Sequence, residues 1–188
     1  FMAAAREYGV LAVPGMEINT SEEVHAVCLF PNLEAALCFD SYVYGKLIRF
    51  PNNEAIFGKQ QIYNEQDQVC GTEPNLLINA TEISFDGLWE LVRSYGGVMF
   101  PAHVDKTANS LIANLGFIPP DSRFRTAEVK DLKKLHQLQK DNPYLDKCRI
   151  ISNSDAHYLE HMNEPELTLQ VEEKTVQGII DALLDGAG

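Results

Sequence analysis

Apolar residues recur along the chain with two spacings, one typical of strands and one typical of helices. Short apolar runs bounded by turn residues predict strands, and these runs cover residues 10–13, 24–30, 98–100, 126–129 and 149–151. Segments with apolar residues three or four apart predict helices, and these cover residues 2–8, 33–47, 85–95, 108–115, 131–141 and 176–184. Strands that alternate with helices are typical of an α/β fold with a mainly parallel sheet or barrel.

The first predicted helix, residues 2–8, has no Ser, Thr, Asp or Asn before it as a cap, and strand 10–13 follows at once. This order is typical of the second half of a βαβ unit whose first strand is missing. The chain also begins with Phe rather than Met. We therefore expect residues 1–188 to be one domain that forms the C-terminal fragment of a larger domain. Residues 50–80 are interpreted as a polar insert, in which IYNEQDQVCG is a hairpin.

Composition narrows the possible partners. The net charge of −12 argues against nucleic acid as the main partner, because contacts with a phosphate backbone need a positive face. No run approaches the roughly 18 apolar residues that a membrane span needs, so no membrane partner is expected. The four cysteines have no metal-ligand spacing and predict free thiols in a reducing cytoplasm. An anionic substrate would require local positive charge, which bound divalent cations would supply.

Side chains that can bind a metal follow the predicted strands. Four of them come shortly after a strand: Glu17, His103, Asp155 and His157. The carboxyl ends of parallel strands meet at one face, so these side chains are expected to lie together. Asp155 and His157 are two residues apart and point the same way if their backbone is extended. Imidazole and carboxylate ligands suit Zn²⁺, Fe²⁺ or Mn²⁺.

His25 differs from these residues because it lies inside predicted strand 24–30. A nearly buried histidine in a strand needs a polar partner. Each candidate also has a purely structural interpretation: a hydrogen-bonded histidine, a turn acid at Glu17, or a helix cap at Asp155. The spacing alone leaves a metal site and a structural role equally open.

A second pattern includes the candidate ligand His157. Residues 157–161 read H-x-x-E-H, the helix motif of an inverted zinc peptidase. That site needs a stable helix and a third ligand from further along the chain. Only 27 residues follow His161. The peptidase is therefore a remote alternative, and we expect His161 and His136 to be solvated.

Three stretches resemble consecutive motifs of the polymerase and histidinol phosphatase (PHP) domain family: GMEINTSEEVHAVCLF, PAHVDKTANSLIANLGFIP and ISNSDAHYLEHM. They occur in the family's order and extend over essentially the whole chain. The resemblance implies a partial distorted (β/α)7 TIM-like barrel with its N-terminal strands missing. It also implies a phosphoesterase that uses metal-bound hydroxide on a small phosphorylated substrate. The complete domain would hold up to three zinc, manganese or iron ions.

The resemblance also assigns roles to the candidate ligands. Glu17 would bridge two metals, and His25 and His103 would complete one of those positions. Asp155 would bind the other bridged metal, and His157 a third. The family's opening His-x-His pair is absent from these 188 residues. We therefore expect fewer ions in this fragment, with the position of Glu17, His25 and His103 the best preserved.

Two functions remain open at this point. One is a phosphoesterase whose activity resides in the full-length parent, and the other is a non-catalytic PHP-type module that has a structural or partner-binding role. All five ligand positions that can be checked are present, which favours the enzyme. Lys106, three residues after His103, is either a substrate contact or a surface lysine. We also expect the truncated barrel face to self-associate or to be covered by another chain.

Overall fold

The computed structural model of the protein describes residues 1–164 and 167–186. In these residues the polypeptide forms strands and helices in a mixed order, and the fold is α/β. The strands are β1 (Gly15–Asn19), β2 (His25–Leu29), β3 (Gln61–Tyr63), β4 (Val69–Thr72), β5 (Val98–Pro101), β6 (Thr126–Glu128) and β7 (Arg149–Ile151). The α-helices are α1 (Met2–Glu7), α2 (Leu33–Lys46), α3 (Glu54–Phe57), α4 (Phe85–Ser94), α5 (Leu111–Leu115), α6 (Leu135–Asp141) and α7 (Val176–Asp185).

The largest sheet has the order β1-β2-β5 and is antiparallel, whereas the sequence predicted a mainly parallel sheet. The reason lies in the connection between β1 and β2, which is too short for a parallel crossover. Thr20 closes this turn, since its amide donates to the carbonyl of Val24 at 3.0 Å and its hydroxyl accepts from the Val24 amide at 3.2 Å. The predicted strand 10–13 is irregular, and the first strand begins at Gly15.

A parallel pair continues the fold beyond this sheet. Strands β6 and β7 pair in parallel, with Ala127 opposite Ile150. Just past the end of β5, the amide of Val104 donates to the carbonyl of Glu128 in β6 at 2.8 Å. The ends of β5, β6 and β7 therefore lie side by side. The sheets are small, and the described residues do not close into a barrel, so the TIM-like barrel stays a prediction.

The main core lies between the sheet and helices α2 and α4. In β2 the buried side chains alternate with half-buried ones, and Ala26 and Cys28 face this core. Phe30, Phe39 and Tyr95 form an aromatic cluster, with ring centroids 4.7 Å apart for the two phenylalanines. Strand β5 is buried throughout, because α7 covers its second face. Burial on both faces explains why residues 98–100 are apolar without alternation.

Helices α4 and α7 begin at capping side chains that the sequence supplies. The hydroxyl of Ser84 accepts from the amide of Gly87, and the hydroxyl of Thr175 accepts from the amide of Gly178. Each cap satisfies an amide that has no partner within the helix. Among the helices of the described residues, none has the length and apolar character that crossing a membrane requires.

Residues 61–72 form an antiparallel hairpin that stands apart from the main sheet. The Asn64 side chain stabilises its tip by accepting from the amides of Gln66 and Gln68, each at 3.0 Å. The base is held to α2 through the Glu73 carboxylate, which accepts from the Tyr44 hydroxyl at 3.0 Å. The side chains of both strands are mostly exposed, so the hairpin adds little to the core.

Candidate metal centre

The antiparallel sheet brings Glu17 and His25 onto one face. Glu17 pairs with Val27 across β1 and β2, and His25 lies two residues before Val27, so its side chain is on the same face. The carbonyl of His25 accepts from the amide of Ala102 at 3.0 Å, and this bond holds the residues after β5 beside the start of β2. His103 follows directly and points to the same place.

The three side chains converge on one carboxylate oxygen. His25 Nδ1 lies 3.2 Å and His103 Nε2 lies 3.3 Å from Glu17 Oε1. One potential ligand atom from each residue lies within 4.8 Å of the other two. Ligands bound to one tetrahedral zinc at about 2.0–2.1 Å are roughly 3.4 Å apart. The distances from Glu17 to the two histidines match this spacing, so the three residues, hereafter the triad, form a candidate metal site.

His103 is the most constrained member of the triad. It is 2% exposed, its φ is 31°, and its Nδ1 has no hydrogen-bond partner among the described residues. A non-glycine residue with positive φ is strained, and such strain clusters at functional sites. An unpaired buried nitrogen is also uncommon in native proteins. Both features distinguish His103 from a histidine that only fills a core.

The electrostatics of the triad favour an ionised carboxylate. The ring nitrogens of His103 first and of His25 second hold the pKa of the Glu17 carboxyl well below its usual range, although partial burial acts in the opposite direction. An ionised carboxylate and two imidazoles together form a suitable set of ligands for Zn²⁺, Mn²⁺ or Fe²⁺. The residues present therefore fit a divalent metal ion.

The structure corrects two details of the sequence-based interpretation of these residues. Glu17 lies inside β1 rather than after a strand end. His25 is not nearly buried, because its side chain is 25% exposed and the opposite face of β2 packs into the core. The His25 side chain is therefore accessible from solvent.

A further acidic residue, Glu128, supports His103 and was missed by the sequence analysis. Its carboxylate is buried at the end of β6 and accepts from the amide of His103 at 3.0 Å. The other carboxylate oxygen accepts from the side-chain amide of Asn153 at 2.9 Å. Glu128 thus connects the ends of three strands. The signal that could have identified Glu128 is a carboxylate inside the predicted strand 126–129.

Asp155 and His157 lie near the triad but are not part of the cluster. Asp155 is mostly buried and forms an ion pair with Lys106, and Lys130 Nζ lies 3.7 Å from its Oδ2. His157 Nε2 is 3.7 Å from Asp155 Oδ1, and its side chain is 78% exposed. Burial by itself would raise the pKa of the Asp155 carboxyl, but the hydrogen bond and charge of Lys106 outweigh it, so the pKa is lowered.

The backbone around Asp155 also departs from the predicted geometry. Asp155 has a φ of 49°, so its backbone is left-handed rather than extended, and no extended strand directs the side chains of Asp155 and His157 the same way. Residues 159–161 form only a short 3₁₀ turn, and His157 precedes it. The H-x-x-E-H pattern therefore has no helix in this structure. His136 and His161 are exposed.

No protein-family model matches the chain, and no curated protein matches it. A solved structure with a similar fold is that of the novel lesion-specific endonuclease PfuEndoQ from Pyrococcus furiosus, with a TM-score of 0.53 and 16% sequence identity. The match covers 93% of this chain and 39% of that protein. At this identity the likeness concerns the fold alone.

Proposed function

We propose that this chain contributes the metal centre of a PHP-type phosphoesterase, which hydrolyses phosphate esters in the full-length protein. The observation that carries the proposal is the convergence of Glu17, His25 and His103 on one point. The same three residues occupy the positions that the family resemblance assigns to one metal. Their donor set suits zinc, manganese or iron. The fold-level likeness to an endonuclease, which cleaves phosphodiesters, agrees with hydrolysis of a phosphate ester.

Each residue of the triad has a defined task in this proposal. Glu17 supplies the negative charge, and its lowered pKa keeps it ionised at neutral pH. His25 and His103 would supply imidazole nitrogen donors. A bound divalent cation lowers the pKa of water and neutralises phosphoryl oxygens. Asp155 and His157 are proposed as further ligands, which requires the ion pair between Asp155 and Lys106 to open.

The test combines metal analysis with a substrate screen. The protein is loaded with Mn²⁺ or Zn²⁺, its metal content is measured, and it is assayed with p-nitrophenyl phosphate and bis(p-nitrophenyl) phosphate. We expect hydrolysis of at least one ester by the full-length protein, and loss of this activity in His103→Ala but not in His136→Ala. A full-length protein that holds metal and hydrolyses neither ester, nor any other phosphate ester in a wider screen, would contradict the proposal.

A non-catalytic PHP-type module is the second candidate function, and one observation favours it. Lys106 pairs with Asp155, and the imidazole of His157 is largely in solvent, so neither of the outer predicted ligands is arranged around an ion. A module that binds one structural ion at the triad would gain thermal stability from metal without hydrolysing either ester. The same experiment therefore separates the two functions.

A further inference from the structure

We propose that Lys106 and Lys130 form a subsite that binds the phosphate group of the substrate beside the triad. This inference rests on the proposed phosphoesterase function and identifies the residues that hold the substrate's charge. Both ammonium groups are within ion-pair distance of the Asp155 carboxylate. Two positive charges therefore share one negative charge, and one positive charge is left without a partner in this cluster.

The two lysines come from loops that are bound to each other. The Asp105 carboxylate accepts from the amide of Lys130 at 2.8 Å and from the amide of Asp131 at 2.9 Å. The amide of Lys106 donates to the carbonyl of His103 at 2.9 Å. Because these bonds hold both lysine backbones in place, an arriving anion has to order only the lysine side chains.

The loops also place the lysines next to the triad. Lys106 is three residues from His103, and Lys130 is two residues from Glu128, whose carboxylate accepts from the His103 amide. The Asp155 carboxyl that joins the lysines lies within electrostatic reach of Glu17 and His103. A phosphate held by the ammonium groups would therefore be close to an ion in the triad.

The chemistry of the cluster suits a phosphate group. Each ammonium carries three hydrogen-bond donors, and charge-assisted hydrogen bonds to phosphate are among the stronger ones. The lysine side chains are 35% and 46% exposed, so a ligand can reach them. An exposed lysine paired with one acid contributes little on its own. Two lysines on one carboxylate differ from that case, because together they carry one positive charge more than the Asp155 carboxylate neutralises.

Asp155 competes with the anion in this arrangement. Its carboxylate occupies the place between the two ammonium groups that a phosphate oxygen would take. Removing its charge should therefore strengthen phosphate binding in the metal-free protein, whereas removing the lysine charges should weaken it. A purely structural role for the ion pairs predicts no gain of affinity on removing the carboxylate charge.

The experiment measures binding of inorganic phosphate to the metal-free protein by isothermal titration calorimetry. We expect the Lys106→Gln/Lys130→Gln variant to bind at least about tenfold more weakly, since a hydrogen bond to a charged group contributes substantially. We expect Asp155→Asn to bind several-fold more tightly, and asparagine tolerates the left-handed backbone at this position. The matched control is Lys133→Gln/Lys134→Gln, which changes the net charge equally on the adjacent turn and should bind as the unmodified protein does.

Any one of four results would overturn the subsite. The unmodified protein binds no phosphate at millimolar concentration, or the Lys106→Gln/Lys130→Gln variant keeps its phosphate affinity. Alternatively, the control variant loses phosphate affinity equally, or Asp155→Asn does not bind phosphate more tightly. Mn²⁺ binding to the same proteins is measured separately. If phosphate binds as expected but the triad binds no metal, the phosphoesterase fails and the anion subsite stands. If metal binds and the lysine variants behave like the unmodified protein, only the subsite fails.

Discussion

The sheet that carries the triad and the segment 152–158 that carries Asp155 and His157 hold their side chains in different ways. Glu17 and His25 lie on paired strands, and His103 follows a strand that is buried on both faces. Segment 152–158 has no regular structure, and of its two predicted ligands Asp155 contacts lysines while His157 lies mostly in solvent. Ligands on paired strands are positioned before an ion arrives, whereas ligands on a loop must be drawn in by it. Metal affinity should therefore reside in the sheet.

The largest expected effect is the loss of metal in His103→Ala. Removing a direct ligand should weaken Zn²⁺ binding by at least about 100-fold, because even the loss of an outer hydrogen-bond partner costs roughly 10- to 100-fold. His157→Ala should weaken it by less than about tenfold. Calorimetry with a competing chelator measures both affinities. The variants His136→Ala and His161→Ala serve as controls and should bind as the unmodified protein does.

If His103→Ala and His157→Ala lose Zn²⁺ affinity equally, the sheet does not contribute more to metal binding than segment 152–158 does. His103 is buried, so the thermal unfolding of the metal-free variant is measured first. A variant that is folded at the temperature of the titration and still binds Zn²⁺ with unchanged affinity would contradict the site itself.

A smaller effect is expected from Glu128→Ala, which removes the partner of the His103 amide without touching the triad. The His103 amide would be left buried and unpaired, at a cost of about 1–3 kcal/mol in the free energy of unfolding. The position of His103 would also relax, and Zn²⁺ affinity should fall roughly 10- to 100-fold, as is usual for a residue that orients a ligand. Glu128→Gln retains one acceptor oxygen and should recover part of the affinity.

The measurements are urea unfolding without metal and calorimetry with Zn²⁺. A variant that is destabilised but binds Zn²⁺ with unchanged affinity would show that Glu128 stabilises the fold without positioning His103.

A third prediction tests whether the packing of β5 against β2 sets the geometry of the triad. A Cβ at Gly97 would lie 2.5 Å from the carbonyl oxygen of Leu29, which is backbone and cannot move aside without shifting the strands. Gly97→Ala should lower the free energy of unfolding by about 1–3 kcal/mol and weaken metal binding modestly. The matched control is Gly45→Ala in α2, where a Cβ would meet nothing within 4 Å.

Gly45→Ala should raise the free energy of unfolding by about 0.5–1 kcal/mol, because alanine favours a helix. Denaturant unfolding of both variants measures the difference. If Gly97→Ala is as stable as Gly45→Ala, the close approach of β5 and β2 does not determine the sheet.

The smallest expected effect is the pH dependence that Glu17 contributes. Its pKa is lowered from the ordinary 4.5, so the unfolded chain binds its proton more readily than the folded protein does. The stability due to its ionised form is therefore complete above about pH 4.5 and is lost as the pH falls towards the folded pKa. The advantage of the metal-free protein over Glu17→Gln in free energy of unfolding should shrink between pH 6 and about pH 3.

Urea unfolding of both proteins over this range measures the effect, which solvent screening at the half-exposed carboxylate keeps small. A difference between the two proteins that does not change with pH would show that the imidazoles do not stabilise the ionised carboxylate.

The sequence alone determined much of this protein, because the relevant signals are local. The apolar run at 98–100 predicted a strand, and the spacing of apolar residues predicted the helices that became α4 and α7. The resemblance of three motifs predicted Glu17, His25 and His103 as the best-preserved metal position, and the structure brings these three side chains together. Short-range spacing suffices for the strand and helix predictions, since they depend on the period of one element. The grouping of the three candidate ligands came from the family resemblance.

Only the tertiary structure decided how these pieces are arranged. The antiparallel order of β1, β2 and β5 follows from strand pairing, which the alternation of strands and helices does not specify. The contact of Glu128 with His103, and of Lys106 with Asp155, joins residues that are 25 and 49 positions apart. Such contacts depend on how the ends of β5, β6 and β7 lie together, and no local pattern in the chain encodes which polar groups meet there.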